Sequence, residues 1–274
     1  MAQLTMENAL LMPCALIWCG VGRKRGQESF QTIRKQGEYF SMMNQPSISV
    51  IVPVHNGEHF LYEALQSIKR QNYQPMEVLV IDDGSTDQSA AVAEACSEVR
   101  VLRKKHSGLA ATLNHGIDHA TGQLFAFLDA DDRWLPEKLM RQVAELVDRP
   151  GLDMVFCHIR QFTSLPDIAG GGEKCLSIQA GISKTSMLIR RASFYKVGKF
   201  TEDTAYHDFL DWYARAQAFN LSASILPEVL AERRIHNGNM GSLYPDLQRK
   251  CYLKTLRAVV RQRHQPPLHE GVTI

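Results

Sequence analysis

The chain has 274 residues, of which 45% are hydrophobic and 22% are charged, and its formal net charge is +2. This length suffices for one large α/β domain or two small ones, and the composition is ordinary for a globular protein. The small net charge does not indicate a nucleic-acid partner, and none is expected. The six cysteines show neither Cys-x-x-Cys pairs nor zinc-site spacing. They are therefore predicted to be reduced thiols in a cytoplasmic protein.

Residues 1–45 differ in character from the rest of the chain. Residues 9–22 are uncharged and mostly apolar, are interrupted by Pro13, and are followed by the basic run 23–25. This stretch is shorter than the roughly 20 apolar residues of a membrane span, and its basic cluster lies on the wrong side for a secretory signal. We interpret residues 1–45 as an N-terminal extension, either disordered or arising from a miscalled start upstream of Met42. A membrane-surface anchor is the less favoured alternative.

From Ser47 onward, strand and helix patterns alternate. Short apolar or β-branched runs predict strands at 48–52, 78–81, 100–102 and 124–128. Each is followed by a segment with apolar residues at helical spacing. Four such alternations predict an α/β protein with a Rossmann-like, mainly parallel sheet flanked by helices.

Local signals predict two helix starts and one helix face. Asn56 is expected to cap the first helix, and Ser85 with Gln88 is expected to form a capping box for the second. The helix after 124–128 is expected to pack on the core through its apolar residues, which are Leu139, Met140, Val143, Leu146 and Val147.

Polar clusters follow three of the predicted strands, at 55–56, 82–83 and 129–132. Because the carboxyl ends of parallel strands share one edge of a sheet, these clusters are expected to converge on a ligand site. Several carboxylates at one place suit Mg²⁺ or Mn²⁺ bridged to phosphates. The alternative is an acidic turn that caps the helix beginning near Pro136, with Asp132 as the capping residue.

Three common classes of nucleotide or ester chemistry lack their motifs here. The first strand is not followed by Gly-x-Gly-x-x-Gly, which disfavours a dehydrogenase. Neither Gly-x-x-x-x-Gly-Lys-[Ser/Thr] nor Gly-x-Ser-x-Gly occurs, which disfavours a P-loop NTPase and an α/β-hydrolase.

Four segments together, 51–57, 80–87, 108–116 and 127–132, resemble the family 2 glycosyltransferases. The resemblance is strong from Ser47 to about residue 147 and weaker to about residue 240. It implies a GT-A fold, with a nucleotide-sugar-binding half at 46–150 and a smaller acceptor-side half at 151–245. Residues 246–274 are predicted to form a basic amphipathic helix and tail.

The resemblance assigns donor-binding roles to the residues at the strand ends. Pro53, His55 and Asn56 would line the nucleotide pocket, and Asp83 would hydrogen-bond the edge of the base. The small residues from Gly108 to Asn114 would let the start of the third helix approach the donor, and core packing is the alternative for them. Beside these residues, Asp82 is expected to be a turn or cap residue. Lys104 and Lys105 lie near a position where some members of the family place a basic residue by the diphosphate, but they are expected to be solvated.

The resemblance also implies a divalent cation, Mg²⁺ or Mn²⁺. Asp129 and Asp131 match the family's Asp-x-Asp pair, which contacts the ribose and the diphosphate-bound cation, and Asp132 is the alternative metal ligand. His236 lies in a segment that resembles one closing over the donor. A contact with the diphosphate or cation and a purely structural role both remain open for it.

Transfer with inversion needs a carboxylate that takes the proton from the acceptor hydroxyl. Alignment of the family's acceptor-side segment on Trp212 places Asp208 at the base, whereas alignment on Arg215 places Phe209 there. Asp208 is the preferred base, with Asp211 as the rival. Asp211 stands four residues before Arg215 on a predicted helix, so an ion pair is the expected role for it.

The sequence thus predicts a metal-dependent, inverting glycosyltransferase with a nucleotide-diphosphate-sugar donor, UDP-linked in preference. Saccharide, lipid and protein acceptors stay open. A catalytically inactive nucleotide-sugar-binding module is the first alternative, and a sugar nucleotidyltransferase is a less favoured one. The protein is expected in the cytoplasm, and peripheral contact of the basic C-terminal helix with the inner face of the membrane is a further alternative.

Overall fold

The computed structural model describes residues 45–74, 76–165, 172–202 and 208–239. The predictions for residues 1–44 and for the basic helix at 246–274 therefore lie outside the described residues. Those described from Pro46 onward belong to one compact unit. None of the helices within these ranges combines the length and the apolar character that crossing a membrane requires.

Nine strands of the described residues form one sheet, in the spatial order β3-β2-β1-β4-β8-β6-β9-β5, with β7 paired to β6. The strands are β1 (Ile48–Val54), β2 (Met76–Asp82), β3 (Val99–Arg103), β4 (Leu124–Phe127), β5 (Arg133–Trp134), β6 (Met154–Thr163), β7 (Lys174–Gly181), β8 (Leu188–Arg190) and β9 (Ala223–Arg234).

Six helices in the described ranges flank this sheet. They are α1 (Glu58–Lys69), α2 (Ser89–Glu94), α3 (Leu109–His119), α4 (Lys138–Asp148), α5 (Arg191–Val197) and α6 (Asp208–Ala218).

The sheet is mainly parallel, as predicted. Strands β3, β2, β1 and β4 are parallel neighbours, and β6 is parallel to β9. Strand β8 runs antiparallel to both β4 and β6 and so joins the two groups. One continuous sheet therefore extends from the first half of the sequence into the second.

The apolar runs become central strands because both faces of the sheet are covered. All seven residues of β1 are buried. Val50 and Val52 face the core layer that contains Leu61 of α1 and Leu139 of α4. Ile51 faces the opposite layer, which contains residues of α3, α5 and α6. Burial of each such side chain stabilises the fold by about 1.5–3 kcal/mol.

The apolar face of α4 is narrower than predicted. Leu139, Val143 and Leu146 are buried, but Met140 is 39% exposed and Val147 is 60% exposed. Each exposed residue follows a buried one by a single position, which turns it about 100° away from the core.

Neither predicted N-cap is correct. Helix α1 is capped by Gly57 and α2 by Gln88, and neither forms a side-chain capping bond. Asn56 has φ 52°, and its Oδ1 accepts a hydrogen bond from the Thr86 amide at 2.8 Å. Tertiary contacts between the loops after β1 and β2 replace the local caps.

Three of the six cysteines lie in the described residues, and all three are free thiols. They are Cys96, Cys157 and Cys175.

Candidate active site

The polar segments after β1, β2 and β4 leave the same edge of the sheet. Val54 is in register with Asp82, and Ile51 is in register with Phe127. The Asp83 amide donates to the Val54 carbonyl at 2.9 Å, which continues the ladder to the start of the loops. Such an edge is where open α/β sheets bind ligands.

Asp83 lies at the centre of a dense hydrogen-bond network. Its Oδ1 accepts from Lys104 Nζ at 2.7 Å and from the Ser107 amide at 2.9 Å, and its Oδ2 accepts from the Gly108 amide at 2.9 Å. Burial alone would raise the pKa of Asp83, but these hydrogen bonds outweigh it and lower the pKa below its ordinary value. Asp83 is therefore an ionised, fixed acceptor.

Lys104 was expected to be solvated, and this expectation is wrong. Its ammonium forms an ion pair with Asp83 because β3 lies beside β2, with Arg103 in register with Asp82.

Asp82 is a turn residue, as expected, since its Oδ1 accepts from the Ser85 amide at 3.0 Å. Gly108 has φ 91°, a backbone conformation that favours glycine, and it immediately precedes α3.

The other predicted pocket residues differ in accessibility. Pro53 is buried within β1, whereas His55 and Asn56 are exposed beyond its end. His55 Nδ1 lies 2.9 Å from the Asp83 carbonyl oxygen, to which it donates. Its ring lies against the His106 ring, with the centroids 4.3 Å apart and the planes tilted by 35°. His106 carried no sequence signal, because it follows a short strand in an unpatterned loop.

Asp131 is held by the segment after β9. Its Oδ2 accepts from His236 Nε2 at 3.1 Å and from Asn239 Nδ2 at 3.1 Å, and its side chain is 30% exposed. The Gly238 amide donates to His236 Nδ1 at 3.1 Å. His236 is therefore the tautomer with its proton on Nε2, directed at Asp131.

Asp132 faces the protein interior. Its Oδ2 accepts from Thr185 Oγ1 at 2.9 Å, and its Oδ1 accepts from the Arg234 amide at 3.0 Å. The N-cap of α4 is Glu137, so Asp132 does not cap that helix. Burial first, and then the neighbouring carboxylates of Asp131 and Asp129, raise the pKa of Asp132 well above its ordinary value. Asp132 therefore connects the turn after β4 to Thr185 and to β9 through hydrogen bonds.

Two arginines, Arg133 and Arg234, form a second group of contacts near Asp131. Arg234 Nε donates to the Asp131 carbonyl at 3.2 Å, and its guanidinium pairs with Glu63 of α1. Arg133 pairs with the same glutamate, and both guanidinium groups lie over the Phe162 ring, at 4.2 and 4.5 Å. This arrangement fixes the backbone that presents Asp131.

Asp129 lies two residues beyond the end of β4. Burial raises its pKa, and so do the charges of Asp131 and Asp208, whereas Lys184 and Arg233 act in the opposite direction. The net pKa of Asp129 is raised. Asp208, 79 positions further along the chain, is therefore an electrostatic neighbour of Asp129.

The two candidate bases have different surroundings. Asp208 begins α6 and is buried, and its Oδ2 lies 2.8 Å from Lys184 Nζ. Asp211 Oδ2 accepts from Arg215 Nε at 3.1 Å and from Thr201 Oγ1 at 2.8 Å. The ion pair expected for Asp211 is therefore present. Lys184 was missed by the sequence analysis, because an isolated lysine in a loop has no motif.

The carboxylate oxygens at this edge of the sheet are the type of ligand that a divalent cation prefers. Mg²⁺ and Mn²⁺ prefer carboxylate oxygens, and Mg²⁺ is usually held by one or two of them together with substrate phosphates and water. Asp131 and Asp129 supply such oxygens. Within the ranges that the structure describes, no group of three or more His, Cys, Asp or Glu side chains is already arranged to hold a metal ion.

Comparison with curated proteins identifies relatives in two Rickettsia species. An uncharacterized glycosyltransferase of Rickettsia typhi is 29% identical over 209 residues, and one of Rickettsia prowazekii is 30% identical over 208 residues. Each match covers 70% of this chain, and the chain spans 65% and 64% of the respective relatives.

Solved structures share the fold. TarS 1–349 of S. aureus in complex with UDP-GlcNAc has a TM-score of 0.65 at 23% identity, covering 82% of this chain and 68% of the other. The mannosyltransferase PcManGT of Pyrobaculum calidifontis, in complex with GDP-Man and Mn²⁺, has a TM-score of 0.63 at 18% identity, covering 87% and 73%. The fold is therefore of the GT-A type.

The model of the family described as Glycosyl transferase family 2 matches residues 49–196, more than half of the chain. This range contains the strand-end segments that carry Asp83, Asp129 and Asp131. The chain belongs to glycosyl transferase family 2.

Proposed function

We propose that this protein transfers a sugar from a nucleoside diphosphate donor to an acceptor hydroxyl, with a divalent cation and with inversion at the anomeric carbon. The observation that carries the proposal is that adjacent residues bind the two parts of the site: Lys184 Nζ lies 2.8 Å from Asp208 Oδ2 at the start of α6, and Thr185 Oγ1 donates to Asp132 Oδ2 in the turn that carries Asp129 and Asp131. This arrangement brings together Asp129, a carboxylate suited to the donor side, and Asp208, a carboxylate suited to deprotonate an acceptor. Family membership supports the same reaction class.

On the donor side, Asp83 is the residue proposed to bind the base. As an ionised acceptor it suits the ring N–H of uracil or guanine. His55 and Asn56, exposed beside it, are proposed to line the same pocket, together with Pro53 and Gly108. A UDP-linked sugar is the preferred donor, and a GDP-linked sugar is the second candidate.

Asp131 and Asp129 are the residues proposed to hold Mg²⁺ or Mn²⁺. His236 and Asn239 both donate to Asp131 Oδ2, which fixes the orientation of the carboxylate. When bound, the cation would stabilise the negative charge that develops on the departing diphosphate. Asp132 is not included in this set, because its carboxylate faces the protein interior, toward Thr185 and the Arg234 amide of β9.

Asp208 is proposed to take the proton from the acceptor hydroxyl as its oxygen attacks the anomeric carbon. Attack from the side opposite the diphosphate breaks the bond to the leaving group and inverts the configuration. Asp211 is assigned to the ion pair with Arg215. Saccharide, lipid and protein hydroxyls all satisfy this chemistry.

Calorimetric titration of the full chain with UDP and with GDP, each with and without Mn²⁺, tests the donor side. Saturable binding that strengthens with Mn²⁺ is expected for one of the two nucleotides. Release of nucleotide from UDP-GlcNAc or GDP-mannose, with water as the acceptor, then tests turnover. Binding without any release would favour the inactive nucleotide-sugar-binding module, and no binding of either nucleotide would contradict the proposal.

A further inference from the structure

Lys184 is a buried ammonium at the centre of the proposed site. Its side chain is 9% exposed, and its Nζ lies 2.8 Å from Asp208 Oδ2, in a side chain that is 7% exposed. Burial alone would lower the pKa of Lys184, but the charges of Asp208, Asp129 and Asp132 outweigh it and raise the pKa. Lys184 and Asp208 therefore form a buried ion pair.

The neighbouring residue anchors Lys184 to the donor side. Thr185 Oγ1 donates to Asp132 Oδ2 at 2.9 Å, and the Thr185 carbonyl accepts from Trp134 Nε1 at 2.8 Å. Lys184 and Thr185 thus form a bridge. One residue binds the turn that carries the Asp-x-Asp pair, and the other binds the first residue of α6.

We infer that Lys184 is the positioning residue of the general base: it holds Asp208 Oδ2 so that the Asp208 carboxylate is oriented toward the acceptor hydroxyl beside the donor. This inference rests on the proposed function, in which Asp208 is the base.

The physical reason is geometric. Asp208 is the first residue of α6, where the helix does not by itself restrain the side chain. A single charge-assisted hydrogen bond from a buried, anchored ammonium restricts the carboxylate to one orientation. Misplacement of a reacting group by about 1 Å costs on the order of 100-fold in rate. The orientation of Asp208 therefore matters for turnover but not for binding of the nucleotide.

The test compares Lys184→Met and Lys184→Arg with the wild type, measuring nucleotide release with water as the acceptor and nucleotide affinity by calorimetry. For Lys184→Met we expect kcat to fall by about 10- to 100-fold, while KM for the donor and the Kd of the nucleotide stay within about twofold. Lys184→Arg should recover part of kcat, because it keeps a buried donor. Lys199→Met is the matched control, since Lys199 pairs with Asp118 at the surface.

A second measurement separates positioning from a general structural role. In the Asp208→Asn background, Lys184→Met should have no further effect on kcat, because the two residues act through one carboxylate. Equal and additive losses in both backgrounds would overturn the inference, and so would a parallel loss of kcat and nucleotide affinity in Lys184→Met.

The two proposals fail in different ways. A normal rate in Lys184→Met, with a low rate in Asp208→Asn, would overturn only the positioning role. No nucleotide release by the wild type, or a normal rate in Asp208→Asn, would overturn the assigned base and the positioning role together.

Discussion

His236 Nε2 donates a hydrogen bond to Asp131 Oδ2 at 3.1 Å across 105 positions of the sequence. The same carboxylate oxygen accepts from Asn239 Nδ2. The segment after β9 therefore fixes the residue that we assign to the cation. Partners of a metal-binding carboxylate in turn orient it, and their loss typically weakens metal binding.

Asp131→Ala should abolish the part of nucleotide affinity that depends on Mn²⁺, because it removes a carboxylate assigned to the cation. Calorimetry with the preferred nucleotide, with and without Mn²⁺, measures this difference. Asp118→Asn, a change at an exposed carboxylate, is the control. Unchanged stimulation by Mn²⁺ in Asp131→Ala would contradict the metal assignment.

His236→Ala should lower the affinity for Mn²⁺ by about 10- to 100-fold without abolishing Mn²⁺ binding, because Asp131 loses one of its two orienting hydrogen-bond donors. The concentration of Mn²⁺ that gives half-maximal nucleotide binding is the measurement. His236→Gln, which retains a side-chain N–H donor, should lie between Ala and the wild type. An alanine variant with wild-type Mn²⁺ dependence would show that the contact has no role in cation binding.

Asp208→Asn should leave nucleotide binding intact and lower kcat for nucleotide release by about 10²- to 10⁴-fold, because the base is lost. Asp211→Asn provides the comparison on the same helix. It removes a partly exposed i,i+4 pair with Arg215 and should cost only about 0.3–0.5 kcal/mol of unfolding free energy. The reverse pattern, with the larger loss of kcat in Asp211→Asn, would move the base to Asp211.

Gly116→Ala should destabilise the protein by up to about 2 kcal/mol. A Cβ at this position would lie 2.7 Å from Ile51 Cγ2 and 2.7 Å from Ile81 Cδ1, where α3 packs on the sheet. Such overpacking costs about 1–3 kcal/mol, of which the higher helix propensity of alanine offsets about 1 kcal/mol. Urea unfolding measures the difference. Gly151→Ala is the control, because a Cβ there would meet no atom within 4 Å, and an equal loss in both variants would contradict the packing explanation.

Lys138→Met should change the pH dependence of stability. Lys138 is fully buried, with Nζ 2.8 Å from Gln142 Oε1, and burial lowers its pKa from 10.5 to about 8. Because the pKa is lower in the folded protein than in the unfolded chain, folding disfavours the ammonium. This penalty is full below about pH 8 and disappears as the pH rises toward 10.5.

Relative to the wild type, the Lys138→Met variant should therefore lose up to about 3 kcal/mol of stability between pH 7 and about pH 10, because the penalty that it removes is present only at the lower pH. Urea unfolding at both pH values is the measurement, and Lys199→Met serves as the control. A stability difference that is the same at both pH values would show that folding does not lower the pKa of Lys138.

The sequence was sufficient for the central sheet and for the edge that carries the site. Strands β1, β2 and β4 are apolar runs whose pattern depends only on local order along the chain, and polar residues follow each of them directly. Parallel pairing of such strands then brings Asp83, Asp129 and Asp131 to one edge. The i,i+4 pair of Asp211 with Arg215 was also predictable, because it lies within one helix.

What Asp131, Asp132 and Asp208 contact was decided by the tertiary structure alone. Asp131 and Asp132 are adjacent in sequence, yet one faces His236 and the other faces Thr185. Lys104 and Lys184 are lysines in loops, and each becomes the ion-pair partner of a site carboxylate. These pairings join residues far apart in the chain. They depend on strand order and loop path, which leave no periodic pattern in the sequence.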